Sequence, residues 1–323
     1  MTDLFHTTEY ADLKKRFDLY YEATLLPILQ QNDKVRKRYL ISFMVLILMA
    51  ILFYPAMLYL LFNNNIAKEY IGLSLCGSCV VIMLACGPMY FYKKRVKPQI
   101  MPEFANFFGK FSYVFEGKID DEILRASSLF TEYNNSVGDD YFSGIYDGVH
   151  ISIAEEKLLK IHRTRTRDGQ KTETNKPIFS GVCILFEMNK KFSGHTVVLK
   201  DRGALGNSFY KIKGLKNVRL EDSVFEKYFE VFSDNQIEAR YLLTTAFMER
   251  MLKLRDLYEG KSIQFSFKFN RLLLSVPTHQ DMFEANSFFK SNLNKQKIDL
   301  VFEQFYTIFS IVKLLKLNQR IGI

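Results

Sequence analysis

The sequence predicts an α+β protein: an N-terminal two-helix transmembrane hairpin followed by a cytoplasmic domain of antiparallel sheet with packed helices. Three observations carry this expectation. First, the runs Tyr39–Phe62 and Ile71–Tyr92 contain no Asp, Glu, Lys, Arg or His, and each exceeds the roughly 20 apolar residues a helix needs to cross a ~30 Å hydrocarbon core. Second, Tyr141–Tyr146 and Val149–Glu155 alternate in strand fashion about Asp147-Gly148, a turn dipeptide that accommodates positive φ. Third, Ile298, Val301, Phe302, Phe305, Ile308, Phe309, Val312 and Leu315 recur at helical spacing near the C-terminus, one apolar face of a long helix.

Each element follows in chain order. Residues 1–37 read as a cytoplasmic amphipathic segment. Tyr10, Leu13, Phe17, Tyr20, Tyr21 and Leu25 share one side, and Pro27 either kinks the segment or opens a second helix. Residues 38–92 hold the hairpin. Lys34, Arg36, Lys37 and Arg38 precede it, and Lys93, Lys94, Arg95 and Lys97 follow it. Lys and Arg favour the cytoplasmic side, so both termini are expected in the cytoplasm of a two-span inner-membrane protein, with no signal peptide. Gly72 with Cys76, and Ser74 with Ser78, place small residues where two helices can approach closely. The two runs offer no ionisable group to an ion path or proton relay.

Residues 93–135 read as a helical connector, with one helical stretch from Pro102 through Phe115 and a short helix over Asp120–Leu129. Residues 136–290 read as the α+β domain. After the first hairpin come strands at Leu158–Arg163, Ile178–Glu187, Thr196–Lys200 and Tyr228–Phe232. Ser233-Asp-Asn-Gln236 has capping-box form before a helix that Thr244-Thr245 breaks in two. A second hairpin, Ser262–Lys268 with Leu272–Val276, turns near Asn270, and Thr278 caps a further helix with Asp281 in its first turn. Residues 291–323 form the C-terminal amphipathic helix.

Charge narrows the function classes. The net charge is +9, and eight positive charges are the clusters flanking the hairpin, so the excess does not imply nucleic acid. Lys157–Lys176 carries seven Lys or Arg against Asp168 and Glu173. Its Arg163, Arg165 and Arg167 suit either a solvated loop tip or contact with anionic lipid, at roughly 1 kcal/mol per basic side chain. The loop lacks the interleaved aromatics on which bases would stack.

The chemistry-bearing motifs are sparse. Cys76-Gly-Ser-Cys79 has redox spacing, yet it lies in an apolar run without a thioredoxin-like strand before it. Gly260-Lys261-Ser262 resembles the end of a phosphate loop, but Arg255 stands where that motif needs glycine. The five histidines show no metal-ligand spacing, and no nucleophile elbow is present. No catalytic residue, cofactor or metal ligand is assigned. Asp139-Asp140 is the best carboxylate pair. Such a pair can bind a cation or share a proton, although its ordinary role is to end a loop before a strand. Glu238 and Arg240 are two apart on a helix and do not face each other; both are expected to bind loop backbone or the preceding strand.

Three stretches resemble a bacterial family catalogued as domain of unknown function 3137. They are Gly138-Asp-Asp-Tyr-Phe-Ser-Gly144 with Tyr146-Asp-Gly148; Ile178-Phe-Ser-Gly181 through Phe192-Ser-Gly194 and Thr196-Val-Val-Leu199; and Tyr228–Asp234 through Glu238–Thr244. The resemblance spans most of residues 100–290. It implies two spans before a cytoplasmic α+β domain at the bacterial inner membrane, and it brings no activity or catalytic residues.

The functional expectation is a membrane-held interaction or scaffold domain rather than an enzyme. Its partners are the bilayer, anionic lipid at the basic loop, and a protein or second copy on the C-terminal helix at Val301, Phe302 and Phe305. The alternatives are a membrane-anchored enzyme or binding module for an anionic small molecule or lipid headgroup, and an accessory subunit of a transport or secretion assembly.

Overall fold

A computed structural model describes residues 5–63, 69–165, 171–201, 212–278, 281–285 and 287–319. Within these, the side chains of 53–54, 56–58, 60–63, 69–85, 164–165 and 171–172 lie outside the description. The chain divides into two compact units. One comprises Met1–Arg16, Phe104–Phe283 and Leu300–Ile323, and the other Phe17–Glu103 with Glu284–Asp299.

The helical part begins with α1 (Thr8–Tyr20), a five-residue π turn (Tyr21–Leu25) and α2 (Leu26–Asn63). Pro27 follows the π turn inside an uninterrupted helical stretch, where the Leu26 N–H reaches back to the Tyr21 carbonyl, and a residue without an N–H breaks the regular bonding of an α-helix at such a point. Helix α3 runs Glu69–Phe108 through Pro88, Pro98 and Pro102. Both apolar runs are helical, within helices of 38 and 40 residues. Among the described residues no helix is long and apolar enough to cross a membrane. The small-residue stripe at Gly72–Ser78 and the Cys76/Cys79 pair have side chains outside those described.

The other elements build a sheet. They are β1 (Lys110–Phe115), α4 (Asp121–Ala126), β2 (Asn135–Tyr146), β3 (Val149–Arg165), β4 (Lys171–Glu187), β5 (Thr196–Lys200), β6 (Lys216–Asn217), α5 (Ser223–Glu226), β7 (Phe229–Ser233), α6 (Gln236–Leu242), α7 (Thr245–Leu257), β8 (Gln264–Lys268), β9 (Arg271–Pro277) and α8 (Lys295–Leu315). Among the described residues nine strands form one sheet in the order β1-β2-β3-β4-β9-β8-β5-β7-β6. Every pairing in it is antiparallel. The α+β class read from the sequence holds for this sheet and its helices.

Both predicted hairpins form. Asp147 and Gly148 turn the first at φ 50° and 75°, and Phe269 and Asn270 turn the second at φ 53° and 56°, the left-handed pair that matches strand twist. Thr244 caps α7 by accepting from the Phe247 N–H, so the helix breaks where the sequence placed the break.

Several expectations are corrected. The stretch Pro102–Phe115 is not one helix: it changes to β1 at Lys110, where Phe111, Tyr113 and Phe115 alternate with Ser112 and Val114. Leu158–Arg163 is no separate strand but the continuation of β3, because no turn residue interrupts Glu156-Lys157. The cap before α6 is Asn235, which accepts from the Glu238 N–H, while the Ser233 hydroxyl accepts from the Asn235 N–H at 3.1 Å. No helix follows Thr278 among the described residues before Lys295.

The sheet carries two cores. One face buries Ala154, Leu158, Cys183 and Leu273 beneath Ile119, Leu124 and Leu129. On the other, Phe305 of α8 stands 5.1 Å from the Phe142 ring and 4.8 Å from Phe283. Val301, Phe302 and Phe305 are at most 1% exposed. The face on which a partner was expected is thus taken up by packing, as its unbroken apolar periodicity also permits.

In the other unit, two of the eight flanking cations are buried rather than solvated. Arg36 bonds Asp33 at 2.7 Å, and Lys97 is fully buried against Glu284 at 2.9 Å. Burial raises the Asp33 carboxyl, but hydrogen bonds from Arg36, the Asn292 N–H and Ser291 outweigh it and hold the group below its ordinary range.

Candidate functional site

The site begins with a miscount between two strands. Gly138 pairs with Glu156 and Tyr141 with Ala154, so Asp139 and Asp140 together oppose the single residue Glu155. That is a β-bulge, which re-aims side chains that strict alternation would send to opposite faces. The carboxylate oxygens of Asp139, Asp140 and Glu155 consequently lie within 4.8 Å of one another. Asp140 and Glu155 are buried and Asp139 is half-buried. Gly138 is required beside the bulge, because a Cβ there would stand 2.0 Å from the Gly117 carbonyl oxygen.

The neighbours fix these acids. The Tyr113 hydroxyl donates to Asp140 Oδ1 at 2.5 Å, and the Met282 N–H donates to Glu155 Oε2 at 3.1 Å. Burial pushes the Glu155 carboxyl up to about 7. The Met282 bond opposes this, while Asp281, Asp139 and Asp140 add to it. A cleft of about 380 Å³ opens alongside, lined by Glu116, Lys118, Ser136, Asp139, Glu155 and Lys157 among others. Three oxygen donors of this kind suit a hard divalent cation. Without one, Glu155 keeps its proton toward neutrality, first because it is buried and then because the neighbouring aspartates disfavour a further negative charge.

Glu156, next along β3, points to the opposite face. It is fully buried, accepts from the Ile119 N–H at 2.7 Å, and its Oε2 has no hydrogen-bond partner among the described residues. Burial lifts this carboxyl to about 7 as well, against the Ile119 bond and Lys118. Sequence reading passed over both glutamates. The available signal was two consecutive acids inside the apolar alternation Ile151–Leu158.

The remaining candidates fall elsewhere. Glu238 accepts the Ser193 N–H at 2.9 Å and the Gly194 N–H at 2.5 Å, and Arg240 donates to the carbonyls of Gln236 and Arg219. Both bind backbone, as their spacing implied. A Cβ at Gly194 would meet Glu238 Oε2 at 2.4 Å, so a larger residue there would displace the carboxylate from these N–H groups. Arg163 pairs with Glu173 at 2.6 Å on the hairpin arm. The side chain of Arg165, and Arg167 entirely, lie outside the described residues. Arg163 is held by its pair with Glu173 and is not brought to the acidic bulge.

A second concavity, about 370 Å³, lies beside α4. Ile123, Leu185 and Leu273 line it with Phe269, which is 66% exposed, and with the cations Lys268 and Arg271; Asp120 and Glu122 also face it. His195 braces the adjacent wall, its Nε2 lying 3.0 Å from the Ser127 carbonyl oxygen and 3.1 Å from Ser266 Oγ.

Together these features define a class: an α+β chain whose large antiparallel sheet carries an acidic bulge. Residues 177–317 match the family described as "Protein of unknown function (DUF3137)", so the resemblance read from the sequence is shown over that segment. The match takes in α8 and does not reach the Gly138–Gly148 motif. No curated protein matches the chain. Among solved structures, a crystal structure of the mycobacterial trehalose monomycolate transport factor A, TtfA, is similar at 11% identity and a TM-score of 0.35, covering 68% of this chain and 97% of that one. A likeness at that level carries no argument about this chain.

Proposed function

We propose that this protein is anchored in a membrane by its two apolar helices and presents its α+β unit as an interaction domain at the cytoplasmic surface of the inner membrane. One observation carries the reading. In α2 the side chains of Ile41, Met44, Val45, Leu48, Met49, Ile51 and Leu52 are 49–65% exposed. Each forgoes part of the roughly 1.5–3 kcal/mol that full burial would contribute, and a contiguous patch of this kind marks an apolar partner or a membrane. The run containing them is free of charge, and exposed Lys34, Lys37, Arg38, Lys94 and Arg95 flank the two runs, a charge bias that supports a cytoplasmic position for those flanks.

Alkaline carbonate washing and protease protection test the reading. The protein should stay with membranes, and the segment after Lys97 should be cleaved only from the cytoplasmic side. Release by carbonate, or cleavage from the outer side, would overturn it.

A second reading, a membrane-held binding module for an anionic small molecule or lipid headgroup, is supported by the cleft beside α4. Its apolar lining suits an amphiphile, with Lys268 and Arg271 the side chains that would receive an anionic group and Asp120 and Glu122 offsetting their charge. Arg271→Gln should weaken equilibrium binding of a fluorescent anionic amphiphile, and unchanged binding would sink this second reading.

A further inference from the structure

We infer that the segment Ser287–Leu293 is an interfacial membrane contact, seated at the headgroup level of the bilayer beside the apolar helices. The inference rests on the anchoring reading above and adds to it a part of the chain that no apolar run announces.

The helix pair provides the level. Phe43 lies four residues into the run that begins at Tyr39, about 6 Å along the helix axis. That depth is where a bilayer passes from headgroups to hydrocarbon. Phe288 and Phe289 both meet Phe43, with ring centres at 5.6 and 5.7 Å. Phe288 also meets Tyr92, the last residue of the second run, at 5.6 Å.

The segment is held there by buried polar bonds. The Tyr92 hydroxyl donates to Asn292 Oδ1 at 3.0 Å. Arg36 donates to the Phe288 carbonyl at 3.3 Å, and Asp33 accepts from the Asn292 N–H at 3.3 Å. Charges buried in this way stay only because they are paired and bonded. They fix the backbone, and the backbone then decides which side chains face outward.

Two large apolar side chains face outward. Phe288 is 6% exposed, but its neighbour Phe289 is 58% exposed and Leu293 is 40% exposed, with Lys290 exposed between them. They continue the exposed band of α2, and at the same level Phe91 is 58% and Tyr90 45% exposed. Aromatic side chains with Lys or Arg beside them are the composition that settles at a membrane–water boundary. A lipid surface is therefore the partner that the exposed residues, their depth and their charge all fit.

The chain has no tryptophan, so a single introduced Trp reports unambiguously. Phe289→Trp, Leu293→Trp and, as the helix probe, Ile51→Trp are each made in the full chain. Each is reconstituted in phosphatidylcholine–phosphatidylglycerol vesicles brominated either near the headgroup or deep in the acyl chain. The expected result is blue-shifted emission from both segment probes, quenched more by shallow than by deep bromine, with Ile51→Trp quenched more by deep bromine. Quenching of Ile51→Trp alone would overturn the inference and leave the anchor standing. If Ile51→Trp is not quenched, the anchoring reading fails. Unquenched segment probes would then overturn both, and quenched ones would keep the segment as a peripheral lipid contact.

Discussion

Glu155 and Glu156 are adjacent in sequence and buried on opposite faces of β3. Their folded carboxyls titrate at about 7, against an ordinary 4.5. The folded state therefore holds both protons more tightly than the unfolded chain does. Their stabilising contribution is complete below about pH 4.5 and is lost as pH rises through about 7, at up to about 1.4 kcal/mol per pH unit for each group. Chemical unfolding of the detergent-solubilised protein between pH 4.5 and 7 should show stability falling with pH. Glu155→Gln and Glu156→Gln should each flatten that slope, and a slope unchanged in both would contradict the burial argument. At the same scale, Glu238→Ala leaves the Ser193 and Gly194 N–H groups without their acceptor, a loss of about 1–3 kcal/mol. Faster amide exchange at Ser193 and Gly194, with His195 still held by Asp234, is the expected signature.

Elements are held by a few dense contacts. The face of α8 packs on the sheet through Phe305 and Phe309, and Phe305→Ala should cost about 3–5 kcal/mol, read as a lowered denaturant midpoint. A partner-binding helix would lose a complex instead and keep its stability. In the other unit, Asp33→Ala removes the counter-charge of buried Arg36 and should cost about 3–5 kcal/mol. Asp33→Ala with Arg36→Met should recover much of that loss, because the uncompensated charge is then gone. Double-mutant unfolding curves measure the recovery.

At the scale of the whole molecule, the topology prediction is a protein that carbonate does not release, with its sheet unit on the cytoplasmic side. Such an arrangement would set Ser287–Leu293 beside Phe43, at the headgroup end of the exposed apolar band that runs from Ile41 to Leu52 in α2. It also gives the flanking cations two roles, since Arg36 and Lys97 are buried in ion pairs while Lys34, Lys37 and Lys94 face outward.

By itself the sequence determined what local chemistry controls. The first hairpin turn follows from Asp147-Gly148, which accepts positive φ, the second from Asn270 alone, since Phe269 rarely adopts it, the α6–α7 break from a threonine cap, and the long last helix from its period. The family resemblance held over residues 177–317. Other features depend on pairing between distant segments. Register counts set two acids of β2 against one of β3, and no spacing rule along one strand reveals an extra residue relative to its neighbour. Burial of Val301, Phe302 and Phe305 required knowing what covers them, since an apolar face reads the same whether it packs on its own sheet or on a partner. Arg36 and Lys97 look like solvated flanking charges until Asp33 and Glu284 are folded against them. Period and turn chemistry are properties of neighbours in the chain, whereas protonation, burial and exposure belong to neighbours in space.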